Sequence, residues 1–392
     1  MEIWKRNLLL MWIAQFIAML GMNMVVPFLP FFIRELGITE QNLLERWSGL
    51  VFAGPFIMAF IMTPVWGSLA DKYGKKAMTL RAIFGLSVSQ LLIGFSGNIW
   101  HLFAFRMLQG VVSGFLAAAL ALVSAGTPKE KSGYAISILQ SSLFTGAIAG
   151  PLAGGLLADL ISYRSVFFIV AGLCFASGLF ILIYVREPAK KDTNGRLFSI
   201  FSNIRYVISE KEIKFALLII AIVQISVTVT NPIFALFIET FEMDTAFMST
   251  YTGVSFGVTG ISAAIASPWW GRRFDKKGFS KNMFIAMNLS AAAFALHTIS
   301  GNYFLLLPIR ILLGLSLGGI IPGFYSLINK HSPEERNAGI MGLASSSNLL
   351  GGMAGPLLCV LLTLWMKISF IFLFPGIILT IISFLMKNKI KE

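Results

Sequence analysis

TPVWGSLADKYG, running from Thr63 to Gly74, returns 204 residues later as SPWWGRRFDKKG, from Ser267 to Gly278. The echo keeps a Pro, a Trp, a Gly, the Asp-Lys pair and the closing Gly. It is not isolated. Arg106 and Gly110 return as Arg310 and Gly314 at the same offset. Gly146, Ala149, Gly150 and Pro151 return as Gly351, Ala354, Gly355 and Pro356 at an offset of 205, as do Pro27 at Pro232 and Pro128 at Pro333. A shared offset at separated places marks a duplicated plan, so the chain reads as two halves of one design.

Composition says where that design lives. Of 392 residues, 56% are hydrophobic and 12% charged, against about 25% charged in a soluble domain. Leu8 to Ile33 contains no charged side chain, and a run of that length reads as a membrane-crossing helix. The runs are continuous rather than alternating, which excludes a β-barrel. Twelve apolar spans follow, at about 7–33, 47–70, 77–97, 99–125, 133–158, 165–185, 214–238, 247–270, 282–300, 303–328, 336–363 and 368–386. The expected fold is all-α: twelve transmembrane helices as two parallel six-helix repeats. The halves are residues 1–185 and 214–392, joined by a cytoplasmic linker at 186–213.

The net charge of +13 is a topology signal rather than a nucleic-acid footprint. Of the 31 Lys and Arg, 24 fall on the side holding both termini, and four (Arg34, Arg46, Arg164 and Lys367) on the other. By the positive-inside rule both termini are cytoplasmic. Within the linker, Leu197, Ile200, Phe201, Ile204, Val207 and Ile208 recur at helical spacing beside Arg205, Lys211 and Lys214. That pattern predicts an amphipathic helix on the inner leaflet; a partly ordered tether is the alternative. Cys174 and Cys359 fall inside spans and form neither a disulfide framework nor a metal spacing. The first apolar run is too long for a cleaved signal and reads as a retained helix.

Three motifs carry the chemistry. After the second span stands Gly67-Ser-Leu-Ala-Asp71-Lys72-Tyr-Gly74-Lys75-Lys76. The fourth span carries Arg106, Gln109, Gly110 and Ser113 on one helix face. The fifth reads Gly146-Ala-Ile-Ala-Gly150-Pro151-Leu-Ala-Gly154-Gly155, a stripe of small residues that permits close helix approach, with a proline that permits a kink. Together these resemble the signatures of the major facilitator superfamily, in its 12-helix drug:proton antiporter (multidrug efflux) branch.

The resemblance implies roles. Gly67, Asp71, Lys72, Gly74, Lys75 and Lys76, with Asp275 in the degenerate second copy, would form a conformational latch. Arg106 and its counterpart Arg310 would organise proton transfer; each is equally a structural arginine satisfied by carbonyls, or an anion-recognition group. Gly146, Gly150, Pro151, Gly154 and Gly155 would form the helix associated with antiporters. Many members of the branch carry a buried acid; here all 18 acids read as loop or span-end residues. The proton carriers open to choice are Glu35, Asp159, Glu239, Asp71 and His297.

In this fold the substrate lies near the bilayer midplane. The polar candidates are Gln15, Asn23, Gln109, Gln224, Asn231 and Tyr325, with Gln140 and Asn348 second. Gln224 and Asn231, seven apart, are expected on one face. Phe28, Phe52 and Phe56 are the apolar candidates. For each polar residue an interhelical hydrogen bond is the competing role.

The expected activity is export of amphipathic small molecules in exchange for protons, by a monomer in the inner membrane of a bacterium. Export of an anionic metabolite or siderophore, and lipid flipping, are the alternatives. No phosphate-binding loop, metal or cofactor is called for; the partners are substrate, protons and membrane lipid, not nucleic acid. Nor is an enzyme expected, because no span pairs a nucleophile with a base.

Overall fold

The computed structural model describes residues 2–128, 131–187, 200–333 and 335–389, without the side chains of Pro64, Gly67, Ser68, Ala70, Asp71, Lys72, Ile200, Phe201, Ala338 and residues 387–389. Among the described residues regular structure is entirely helical. Ten segments are long and apolar enough to cross a membrane. Two further helices, of 30 and 19 residues, stand where the eighth and ninth spans were expected. Their Ser, Thr, Gly and Asn content lowers the hydropathy.

The chain divides into two compact units. The first is Met1–Asp192 with Met243–Gly257. It contains α1 (Ile3–Met24), α2 (Leu29–Glu35), α3 (Gln41–Tyr73), α4 (Lys75–Gly94), α5 (Ile99–Val111), α6 (Phe115–Gly126), α7 (Ser132–Leu160) and α8 (Tyr163–Tyr184). Here the structure corrects the reading of 7–33 as one helix. Pro27 has no N–H to continue α1, and Pro30 opens α2 with its fixed φ. The span at 99–125 also breaks. Gly114 takes φ 103°, a left-handed setting that ends α5 and starts α6. Within the unit α1 runs along α7, α4 along α8 and α3 along α5.

The second unit is Thr193–Glu242 with Val258–Glu392. It contains α9 (Ile200–Ser209), α10 (Lys211–Thr228), α11 (Asn231–Glu239), most of α12 (Met248–Lys277), α13 (Phe279–His297), α14 (Tyr303–Leu317), α15 (Ile320–His331), α16 (Asn337–Leu362), α17 (Ile368–Ile371) and α18 (Leu373–Lys389). The breaks recur: α10 gives way to α11 just before Pro232, and α14 to α15 at Gly318 and Gly319. Both repeats thus interrupt their first and fourth spans at matching places.

The linker helix forms, but its apolar residues are divided. Val207 and Asn203 are buried against α10 and α16, while Ile208 is 61% exposed. Arg336 donates to the Ser202 carbonyl and hydroxyl at 3.2 and 3.1 Å and stands over the Tyr206 ring. The helix is therefore strapped to the protein on one side, leaving Ile204, Ile208 and Arg205 outward. Leu197 lies outside the described residues.

Candidate functional site

The glycine stripe of α7 is filled by backbone. A Cβ on Gly146 would stand 2.8 Å from the Phe16 carbonyl oxygen, and one on Gly150 2.7 Å from that of Leu20. One on Gly154 would overlap the Met24 carbonyl. Pro151 sits inside α7 without ending it. A second face of α7 meets the start of α12, where Gly155 lies on the Ser249 carbonyl and Gly253 on that of Pro151. In the second unit, Gly351 and Gly355 seat α16 on the Ala221 and Ile225 carbonyls of α10 in the same way.

Arg106 is 6% exposed. Its Nε donates to the Val51 carbonyl at 3.3 Å and its Nη1 to Gln109 Oε1 at 2.8 Å. The structure thus brings two sequence candidates together and ties them to α3. Arg310 is equally buried, but its guanidinium lies 3.5 Å from the centroid of the Phe234 ring. A desolvated cation on a ring face is worth on the order of 2 kcal/mol.

The carboxylates separate by environment. Glu35 is exposed and paired with Arg164 at 3.1 Å. Asp159 caps the first turn of α12: Ser249 N donates at 3.3 Å, Thr250 N at 2.6 Å and Thr250 Oγ1 at 2.7 Å. A carboxylate at a helix N-terminus is a favourable arrangement. Glu239 is half-buried at the end of α11. His297 is fully buried; its Nδ1 contacts the Ala293 carbonyl, and its ring stacks on Phe372 with Phe234, Phe237 and Phe294 around it. Aromatic rings therefore enclose the imidazole.

The latch is described in part. Gly74 adopts φ 95° and turns the chain into α4. Lys75 N–H donates to Glu187 Oε1 at 2.6 Å, and Lys76 Nζ to the Leu182 carbonyl at 2.8 Å. Glu187 was assigned to the linker and carries no sequence signal of this contact. The side chains of Asp71 and Lys72 lie outside the described ones. Just above them Trp66 Nε1 donates to the Val111 carbonyl at 2.7 Å, with the Arg81 guanidinium 3.6 Å from its ring centroid. In the second unit Asp275 borders a cavity of about 520 Å³ with Glu212, Phe274, Phe279, Lys330 and His331, a volume within the usual ligand-pocket range of roughly 300–1,000 Å³.

The cavity candidates fall in different settings. Phe28 is fully buried between Tyr163 and Phe167, held by ring contacts of 5.5 and 5.6 Å. Gln224 and Asn231 do not share a continuous helix face, because the break at Val229 and Thr230 falls between them. Gln15 is fully buried and donates to the Leu139 carbonyl, next to half-buried Gln140. Asn23 donates to Met19 in its own helix. Tyr325 lies near Ser345 and Asn348. Phe52 is buried and Phe56 half-buried.

A family model described as Major Facilitator Superfamily matches residues 11–278 and 216–389. A Proteus mirabilis protein named multidrug resistance protein MdtG is 34% identical over 361 residues, covering 91% of this chain and 88% of that protein. Its namesake from Klebsiella pneumoniae is 33% identical over 361 residues, covering 91% and 86%. Among solved structures, a bacterial homolog to human lysosomal transporter Spinster, inward-facing and occupied, aligns with a TM-score of 0.81 at 13% identity over 98% of this chain and 96% of that one. The nucleoside transporter NupG aligns with a TM-score of 0.75 at 16% identity over 98% and 100%. At those identities the likeness is one of fold.

Proposed function

The chain belongs to the major facilitator superfamily, and on that premise we propose that it exports amphipathic small molecules, drugs among them, from a bacterial cytoplasm in exchange for protons. It is a multi-pass membrane protein and a secondary transporter, not an enzyme. The observation that carries the finer reading is the likeness to proteins named for multidrug resistance, over 91% of the chain at 34% identity. The backbone-to-backbone seating of Gly146, Gly150 and Gly154 on α1 supports it, because a helix packed that closely excludes the water that would leak ions during exchange.

The residues take roles on this reading. Asp71, with Gly67, Lys72 and the Gly74-Lys75-Lys76 turn, is the working latch, and Asp275 the weaker copy. Arg106 is an organising group rather than an anion receptor, since two of its nitrogens already serve Val51 and Gln109. The protein sits in the inner membrane with both termini in the cytoplasm. One proton crossing 100 mV supplies about 2.3 kcal/mol, enough for roughly a fifty-fold gradient of a neutral solute.

The test is proton release from everted vesicles with an acid interior, on adding cationic, neutral and anionic compounds in turn. Release by several unrelated compounds is expected. Release by a single anion would replace this reading with dedicated metabolite export. Silence from folded protein would overturn proton exchange altogether.

A further inference from the structure

The cavity of the second unit has no ligand in the roles given above. At Gly314 and Gly318 the backbones of α12 and α14 touch, the glycines lying on the Thr259 and Ala263 carbonyls. From Gly319 onward side chains take over: Gly319 meets the Trp270 ring, and Gly323 meets Phe274 and Met283. The space of about 520 Å³ lies there. Gly319, Pro322, Gly323, Ser326, Leu327 and Lys330 line it from α15 and its cap. Their spacing of three and four residues marks one continuous helix face.

Shape and charge narrow the guest. From Gly319 to Lys330 the helix rises ~17 Å, close to half of the ~30 Å hydrocarbon core. The trough is therefore about one leaflet deep. Phe274 and Phe279, with ring centroids 5.4 Å apart, wall it, and Ser267 and Gly271 leave the α12 side wide. Charge is confined to one end, which the positive-inside rule places at the cytoplasmic surface. There stand Glu212, Asp275, Lys330 and His331. Glu212 and His331 pair at 3.3 Å. Asp275 and Lys330 are exposed and, among the described residues, in no ion pair. Lys276, Lys277 and Lys281 adjoin in sequence but are not part of the lining. A carboxylate and an ammonium at one mouth disfavour a guest of either sign alone and favour one that carries both.

We propose that this cavity binds a single-chain amphiphile with a zwitterionic headgroup, a phosphate joined to an ammonium, drawn from the inner leaflet. The site rests on the membrane orientation proposed above and not on proton exchange. The chain lies in the trough against Phe274 and Phe279. Lys330 donates to the phosphate, and Asp275 accepts from the ammonium. The pair of Glu212 and His331 borders the α10 side. A headgroup without its chain forgoes the apolar contact that drives burial. Asp275, the degenerate copy of the latch aspartate, thereby has a task of its own.

The experiment is native mass spectrometry of the full-length protein, stripped of lipid in detergent. The probes are lysophosphatidylethanolamine, lysophosphatidylglycerol and an alkyltrimethylammonium of equal chain length. The zwitterion should bind about tenfold more tightly than either singly charged probe, and glycerophosphoethanolamine, its headgroup alone, should not displace it. Asp275→Asn should shift the preference toward the anionic probe, and Lys330→Gln toward the cationic one. Ser326→Trp, which fills the trough from an exposed position, should abolish binding. Gly172→Trp, where nothing lies within 4 Å of an added Cβ, should keep it. Thermal melting shows which variants are folded; if Ser326→Trp is not, the two charge variants decide. Equal binding of the three probes, or binding that survives Ser326→Trp, overturns the site. A preference that neither charge variant moves overturns the headgroup assignment, and displacement by the headgroup alone overturns the trough. Proton release plays no part in these readouts, so failure of the antiport reading leaves them intact.

Discussion

The first and second halves share several scaffold contacts at matching positions and differ in their charges. Trp66 Nε1 donates to the Val111 carbonyl at 2.7 Å; 204 residues on, Trp270 Nε1 donates to that of Leu315 at 2.7 Å. Asn98 caps α5, and Asn302 caps α14. Gly74 and Gly278 both turn with positive φ, at 95° and 83°. Gly110 lies on the Pro55 carbonyl and Gly314 on that of Thr259. Against this, Gln109 corresponds in sequence to Leu313, and Glu45 to Ser249. Arg106 is served by oxygens, whereas Arg310 lies on the Phe234 ring. Duplication has kept the turns, caps and helix crossings that any half needs, while the ionisable chemistry was free to concentrate in one copy.

The sharpest way to break the comparison is to exchange scaffold residues where the copies disagree. Gly154 corresponds to Cys359, which is fully buried in its own half. In the first half the Met24 carbonyl occupies that space. Gly154→Cys should therefore cost about 3 kcal/mol or more, at the upper end of overpacking penalties, and deplete monodisperse protein on size-exclusion chromatography. Gly172→Cys, with nothing within 4 Å of an added Cβ, should behave as wild type. A well-behaved Gly154→Cys would show that α1 and α7 are not held at backbone contact.

The latch gives the next largest effect, on transport rather than folding. Asp71→Asn should lower efflux by about tenfold and Asp275→Asn by about threefold or less, read as ratios of transport rates in vesicles. Equal losses would mean that both copies work as latches. A smaller difference is expected at the tryptophans. Trp66→Phe and Trp270→Phe each remove one hydrogen bond, worth about 1 kcal/mol, but Trp66 also carries Arg81 over its ring. Its variant should lose about 0.5–1 kcal/mol more, visible as the lower melting temperature of the pair. Identical melting would remove Arg81 from the account.

The sequence made the scaffold readable and left much of the site hidden, for physical reasons. Long apolar runs survive any local distortion, so helices stand where spans were expected, although Met243–Gly257 groups with the first unit rather than with the residues around it. The breaks are local. Pro27 and Pro232 signal two of them, but nothing in the composition marks Gly114 among 36 glycines as the one with φ 103°. Because of the break, Gln224 and Asn231 lost their shared face. Glu45 and Arg46 looked like the edge of a loop because adjacent charges normally stay in water; α3 starts six residues earlier than hydropathy suggested and takes Glu45 inside. Glu187 meets the latch turn only through folding.

The smallest expected effect tests the claim of equivalence itself. Asn98 accepts from His101 N and Asn302 from Leu305 N, each at the first turn of a helix whose early amide N–H groups have no helical partner. Asn→Ala at such a cap costs about 1 kcal/mol. Asn98→Ala and Asn302→Ala should therefore lower thermal stability by the same amount, and the double variant by their sum, because the two caps share no partner. Transport per folded molecule should not change in either. Unequal losses would mean that one cap carries more than its helix end, and that the copies differ in scaffold as well as in charge.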